Sequence, residues 1–300
     1  MPNMTPTLTP GTRWAGVSAP TADNLRGIAV NESGRWVVAS QGAGRSYYSD
    51  NYGSSWTVGG TMTNSTAMYG MVYGEGLYVA SAGTSGQTIY TSPDGVTWTN
   101  RFNPGGGAGW DMYQLIYNDG YFTLGVDDDN AVLFASAAGT SWSVSAHLST
   151  AICVSGIYVS SLGRTFGTTN GGVYKYYNGV PTAASSWPGS ATGDMTGTIW
   201  GIAWSPTLSL ACAVGANGIF TSSDLITWTQ RSSVTLFRNV AWCDTQFIAV
   251  GDTGKIYTSP DGTTWTSRTS GTSVNLYGVN YYDGVLLVSG DSGVVRKSVD

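Results

Sequence analysis

Short apolar runs punctuated by Gly, Asn and Asp recur along the whole chain. The most continuous are Trp36-Val37-Val38-Ala39, Leu77-Tyr78-Val79-Ala80, Phe247-Ile248-Ala249-Val250 and Leu286-Leu287-Val288-Ser289. Continuous rather than alternating apolar character is expected of strands covered on both faces. Each such run follows a looser one, and these first runs occupy residues 25–30, 68–73, 112–117, 149–154, 199–204, 237–242 and 276–281. Turns such as Glu32-Ser33-Gly34, Gly74-Glu75-Gly76, Asn118-Asp119-Gly120 and Tyr282-Asp283-Gly284 separate the two. Gly, Asn and Asp tolerate the positive φ that tight hairpins demand, so each pair reads as strand, turn, strand. In the fourth unit the second strand is expected at Ile157-Tyr158-Val159-Ser160.

A third strand runs into a repeated segment. Residues 89–99, Ile-Tyr-Thr-Ser-Pro-Asp-Gly-Val-Thr-Trp-Thr, return almost unchanged at 256–266, with looser copies at 219–229 and 48–57. The tryptophan closing each turn falls at Trp14, Trp56, Trp98, Trp142, Trp187, Trp228 and Trp265, a period of roughly 40 residues. Several short strands per period of that length predict an all-β fold, a seven-bladed β-propeller with four antiparallel strands per blade. The whole chain, 1–300, is expected to form one domain whose inner strands start near 25, 68, 112, 149, 199, 237 and 276 and line a central channel. The last unit stops at Asp300, while Gly11-Thr12-Arg13-Trp14 supplies the missing half of its turn. Beyond an arm at 1–10, residues 11–20 are therefore expected to be the outer strand of the seventh blade and to close the ring, which would remove an open edge.

Within the repeated turn the aspartate can accept backbone N–H groups, the glycine can take a conformation closed to other residues, and the indole can pack on the sheet. Ser-x-Asp-Gly-x-Thr-Trp resembles the Asp-box, or BNR, repeat of sialidase-like propellers, although the copies at Asp94 and Asp261 are one residue short between Asp and Trp and Asn51 replaces Asp in the first copy. The resemblance implies a structural role for Asp94 and Trp98, Asp224 and Trp228, Asp261 and Trp265, and the split pair Asp300 and Trp14, on the face away from any active site.

Only 10% of residues are charged, against 42 Gly, 18 Tyr and 12 Trp, and the net charge is −5. That balance offers no basic surface to a phosphate backbone, so neither nucleic acid nor an anionic membrane is an expected partner. The N-terminal residues lack a basic and an apolar segment, and no run is long enough to span a bilayer, so a product made in the cytoplasm without a signal peptide or membrane insertion is expected. Cys153, Cys212 and Cys243 lie in apolar runs and read as buried thiols.

Catalytic chemistry is sparse. The sialidase-type site that the resemblance would bring needs three arginines, a tyrosine with a glutamate partner and a further acid; Glu32 and Glu75 are the only glutamates, and both sit in turns on the opposite face. The single histidine, His147, supports no triad, and no Cys/His spacing suggests zinc. Asp127-Asp128-Asp129 could offer oxygen ligands to calcium, with a solvated turn as the alternative. No cofactor and no enzymatic activity are expected.

A binding role has a clearer basis. The second residue of each inner strand is Arg26, Tyr69, Tyr113, Thr150, Trp200, Arg238 or Tyr277. In register these would ring one end of the channel with the residue types that dominate binding hot spots and that stack on sugar rings. Inter-blade packing is the alternative use of the same positions. The stretches 101–110 and 188–197 are expected to be loops at that mouth. By resemblance to the non-enzymatic propellers of bacteriophage virion appendages, the expected partners are other virion proteins or a cell-surface glycan; a soluble lectin and a glycoside hydrolase are the alternatives, and the oligomeric state is open.

Overall fold

A computed structural model describes residues 10–300 except 43, 63–66, 84–87, 103–111, 127–131, 137, 148–152, 170–171, 173, 181–186 and 188. The chain is a β-propeller built from four-stranded antiparallel sheets. Among the described residues there are seven hydrogen-bonded sheets, whose innermost strands are Leu25–Val30, Ala67–Gly74, Met112–Asn118, Cys153–Val159, Ile199–Ser205, Phe237–Trp242 and Leu276–Tyr282. Each inner strand packs against that of the next sheet, and Leu276–Tyr282 packs against Leu25–Val30. The fifth sheet has an added strand, Thr192–Gly193, parallel to Thr227–Trp228.

The turns follow from their residues. Glu75-Gly76, Asp119-Gly120 and Asp283-Gly284 have φ of 50° and 74°, 50° and 80°, and 47° and 78°, the paired positive φ of a two-residue hairpin whose twist matches the flanking strands. Second strands such as Trp36–Ser40 and Phe247–Gly251 are buried at every position, because a neighbouring sheet covers each face.

The fourth sheet departs from the sequence reading. The described part of its inner strand is Cys153–Val159, residues 149–152 lying outside the described residues, and Ile157-Tyr158-Val159 belong to this strand; the second strand is Arg164–Thr169. Gly156 looks like a turn residue in the sequence but sits in mid-ladder opposite Gly167. The turn is the 3-10 segment Ser160–Leu162, ended by Gly163 at φ 56°. The expected mouth loop at 188–197 differs as well: Gly189–Ser190 is the outer strand of the fourth sheet and Thr192–Gly193 joins the fifth.

The repeated turn links sheets as well as strands. Asp94 Oδ1 accepts from Val96 N at 2.8 Å and Thr97 N at 2.7 Å, while Ser92 Oγ accepts from Gly95 N. Asp224 and Asp261 repeat the two backbone contacts with Ile226 and Thr227, and with Thr263 and Thr264. The outward carbonyls are held by the preceding sheet: Arg35 Nη1 donates to Asp94 O, Ser46 Oγ to Gly95 O, and Arg164 Nη1 to Asp224 O. Gly95, at φ 73°, is needed for room too, since a Cβ there would lie 2.4 Å from Val37 Cγ2. In the looser copy Leu225 accepts φ 60° and buries its side chain completely.

The two chain ends build the same pattern between them. Trp14–Gly16 pairs antiparallel with Arg296–Ser298, Trp14 opposite Ser298. Gly11 N donates to Ser298 Oγ at 2.8 Å, Thr12 N and Arg13 N to Asp300 Oδ2 at 2.5 and 3.0 Å, and Trp14 Nε1 to Gly11 O. The three backbone N–H contacts match those around Ser92, Asp94, Gly95, Val96 and Thr97, and the indole contact matches that of Trp265 with Gly262 O, whereas Trp98 Nε1 donates to Ser46 Oγ.

Asp94, Asp224 and Asp261 all titrate below the usual carboxylate range. At Asp94 and Asp224 partial burial opposes the charge, but the two backbone N–H donors and the serine hydroxyl outweigh it; at Asp261 the Thr264 N–H is the largest influence. A depressed folded-state pKa stabilises the fold above the unfolded value of about 3.9 and is lost as pH falls through the folded value. The expected thermal stability is therefore level from pH 7 to about 5 and declines steeply below about 4. Asn51 performs the same task without a charge, its Oδ1 accepting from Ser55 N at 2.9 Å. Replacing Asp94, Asp224 and Asp261 together by Asn should leave a folded protein at pH 7 whose acid decline is shallower; thermal melts across pH measure this, and an unchanged slope would refute the assignment.

Candidate functional site at the channel mouth

Each of these inner strands carries an irregularity near its start, at Leu25/Gly27, Met68/Gly70, Met112/Leu115, Cys153/Ser155, Ile199/Gly201, Phe237/Asn239 and Leu276/Gly278. A bulge takes a residue out of the ladder and re-aims its side chain. The re-aimed residue is the second of the strand, or the third in Ala67–Gly74, and Arg26, Tyr69, Val154, Trp200, Arg238 and Tyr277, together with Gln114, line a cavity of about 180 Å³.

Five of the six expected binding residues, Arg26, Tyr69, Trp200, Arg238 and Tyr277, thus share one cavity. Tyr113 lies on the third inner strand, but its side chain falls outside the described residues. In the fourth sheet Val154 lines the cavity; Thr150 lies outside the described residues, as do Asp127, Asp128 and Asp129 and most of the loop at 101–110.

The two arginines are already engaged. Arg238 holds Asp252 through two bonds, Nε to Oδ1 at 2.6 Å and Nη2 to Oδ2 at 2.8 Å, with its guanidinium carbon 4.2 Å from the centre of the Trp200 ring. The bond to Asp252 raises the Arg238 pKa against the opposing effect of burial. Arg26 lies 3.6 Å over the Tyr277 ring, donates to Gln41 Oε1 at 3.1 Å and comes within 3.8 Å of Asp291. Tyr277 Oη in turn donates to Asp291 Oδ2 at 3.2 Å. Two guanidiniums thus face two carboxylates, so the mouth is charge-balanced and holds its aromatic rings by cation–π stacking. It is no cradle for an anion.

Asp252 and Asp291 were not among the residues singled out from sequence, although a signal was present. Gly251-Asp252-Thr253-Gly254 and Gly290-Asp291-Ser292-Gly293 are equivalent 3-10 turns after second strands, with Thr253 at φ 59° and Ser292 at φ 55°. Gln114 was missed also. Its Nε2 donates to Asn239 Oδ1 at 3.1 Å, a bond between inner strands that are not neighbours, and Asn239 Oδ1 also accepts from Val240 N. Below this bond lies a second chamber of about 260 Å³ lined by Ile116, Ile157, Ala203, Asn239, Ala241 and Asn280 among others.

Other candidate chemistry lies apart from the mouth. Among the described residues no group of three His, Cys, Asp or Glu side chains is placed to hold a metal ion. Cys212 and Cys243 are buried free thiols, pushed up in pKa by burial, and the Cys153 side chain lies outside the described residues. Glu75 sits in a hairpin turn at the other end of the inner strands, where its Oε1 accepts from Tyr117 Oη at 2.7 Å. No helix among the described residues is long and apolar enough to cross a membrane.

Fold and mouth together define a β-propeller, a class that fits a binding or structural role. No protein-family model matches the chain, and neither does any curated protein sequence. Solved propellers match it in shape. YCF48 bound to D1 peptide superposes with a TM-score of 0.70 at 13% identity, covering 96% of this chain and 95% of that one. The WD40 β-propeller domain of Doa1 gives 0.73 at 14%, covering 96% and 98%, and virginiamycin B lyase from Staphylococcus aureus gives 0.75 at 10%, covering 95% and 98%. Identities this low speak to the fold alone.

Proposed function

We propose that this protein is a non-enzymatic binding propeller that takes one ring or one side chain of a larger, uncharged ligand into its channel mouth. The observation carrying this reading is the charge-balanced, aromatic-lined cavity formed by Arg26, Tyr69, Trp200, Arg238 and Tyr277. Its volume of about 180 Å³ is below the ~300–1,000 Å³ of sites for drug-sized molecules, which favours a single ring. Aromatic faces with fixed polar neighbours suit a terminal sugar of a surface glycan. In favour of a role without turnover, both mouth carboxylates are already engaged by arginines.

The wider setting we propose is a seven-bladed ring fastened by its N-terminal strand and carried on a virion appendage, supported by the Gly-, Ser-, Thr- and aromatic-rich composition and the divergent turn repeats. A protein partner is the second reading. It is favoured by the abundance of Trp, Tyr and Arg at one mouth, the types that anchor protein interfaces, and by the peptide bound to the YCF48 propeller.

A glycan array run beside a peptide array, with a hydrolysis assay on every hit, tests these readings. Trp200→Ala is expected to weaken binding roughly 30-fold, the effect of losing a hot-spot side chain worth about 2 kcal/mol. Undiminished binding by a folded Trp200→Ala protein would retire the mouth, and product release from a hit would retire the non-enzymatic assignment.

A further inference from the structure

The residue that follows the re-aimed one is glycine in four sheets, Gly27, Gly70, Gly201 and Gly278, and a Cβ at Gly27 or Gly201 would lie 2.7 Å from the backbone of the adjacent inner strand. Two sheets carry long amides there instead, Gln114 and Asn239. They belong to the third and sixth sheets, with two inner strands between them on the shorter way round the ring, and their side chains meet across the channel at 3.1 Å. Asn239 is the fixed half, because Val240 N donates to the same Oδ1 at 2.8 Å and aims it. Gln114 is the reaching half, and it lines both the mouth cavity and the chamber below.

We infer that the Gln114–Asn239 hydrogen bond is the floor of the binding mouth, and that Gln114 determines specificity by stopping the ligand after one ring. This rests on the mouth being the ligand site. The bar is uncharged, so it neither attracts nor repels an ionic group; it acts by filling space and by offering the remaining amide hydrogen and carbonyl of Gln114 to the leading edge of whatever enters. Without it the two chambers, about 180 and 260 Å³, would run together into one well deep enough for a second ring. A propeller channel open from end to end would admit the tip of an extended chain, whereas this one selects for a compact, terminal, neutral group.

The test compares the wild type with Gln114→Gly, which installs the residue that four other sheets already use, and with Gln114→Ala as a second variant. The probes are the methyl glycosides of glucose, galactose and N-acetylglucosamine and the disaccharides maltose, lactose and chitobiose, with binding measured by saturation-transfer NMR and titration. Wild-type protein should bind a disaccharide within about threefold of the matching methyl glycoside, and the variants should gain about tenfold or more for the disaccharide alone. Crystals soaked in tetraethylene glycol, a thin uncharged chain, give a readout that needs no sugar recognition: density should end at Gln114 in the wild type and continue past it in Gln114→Gly. Density passing Gln114 in the wild type, or ending at the same level in both proteins, overturns the inference. Failure of every saccharide to bind, with glycol density still dividing at Gln114, refutes the carbohydrate reading and leaves the floor standing.

Discussion

Removing residues 1–16 should lower the melting temperature by about 10 °C or more, far more than removing residues 1–9 alone. The longer deletion strips the strand Trp14–Gly16 from its partners Arg296–Ser298 and removes both N–H donors to Asp300. Hydrogen bonds to a charged acceptor contribute about 1.5–3 kcal/mol each, and the loss of the strand adds to them, so about 5 kcal/mol is a fair sum. At about 2–4 °C per kcal/mol for larger domains, the shift is well above measurement error. Gly11 and Trp14 also cover Ile248 and Leu286 of the core, which the deletion would expose. Asp300→Ala isolates the turn from the strand and should give about a third to half of that shift. A truncated protein melting with the full chain would refute the N-terminal strand as the clasp of the ring.

Trp228→Ala should cost about 3–5 kcal/mol, the range for deleting a large aromatic from a packed core. Trp228 is only 1% exposed, its ring lies 4.7 Å from that of Phe166 in the fourth sheet, and the added strand Thr192–Gly193 runs beside it. The equivalent indoles of Trp14, Trp142 and Trp265 each donate to the carbonyl three residues earlier. Trp228 Nε1 is buried with no acceptor among the described residues. A buried donor without a partner carries a desolvation cost, so Trp228→Phe keeps most of the packing and removes that cost. The expected loss for Trp228→Phe is under about 1.5 kcal/mol. Chemical denaturation of both variants checks the pair, and equal losses would show that the indole nitrogen is satisfied in solution.

Both results bear on how readable the chain is. Hairpin turns at Glu75-Gly76 and Asp283-Gly284 and the Ser-x-Asp-Gly turns were legible because their hydrogen bonds span two to four residues, a distance over which residue type decides geometry. The split turn of Asp300 and Gly11 was legible by comparison with intact copies. The fourth sheet was not, since Gly156 gives the same local signal in mid-strand as in a turn. Choosing between them needs the partner strand, and the surrounding fold supplies it. At the mouth, the ring of second residues could be aligned from sequence, but the ion pairs that neutralise it could not, because Asp252 and Asp291 are conveyed to the arginines by turns 14 and 265 residues away in the chain.

The sequence by itself determined the repeat, the turn chemistry and the level at which Arg26, Tyr69, Trp200, Arg238 and Tyr277 meet, all of which follow from period and local backbone preference. Only the tertiary structure decided what that meeting place is. Bulges turn the second residues into the channel, paired acids cancel its charge, and Gln114 reaches Asn239 across 125 positions of sequence to floor it. Such contacts depend on sheets that are distant in the chain being brought round a common axis, and no local pattern encodes the width of the space left at the centre.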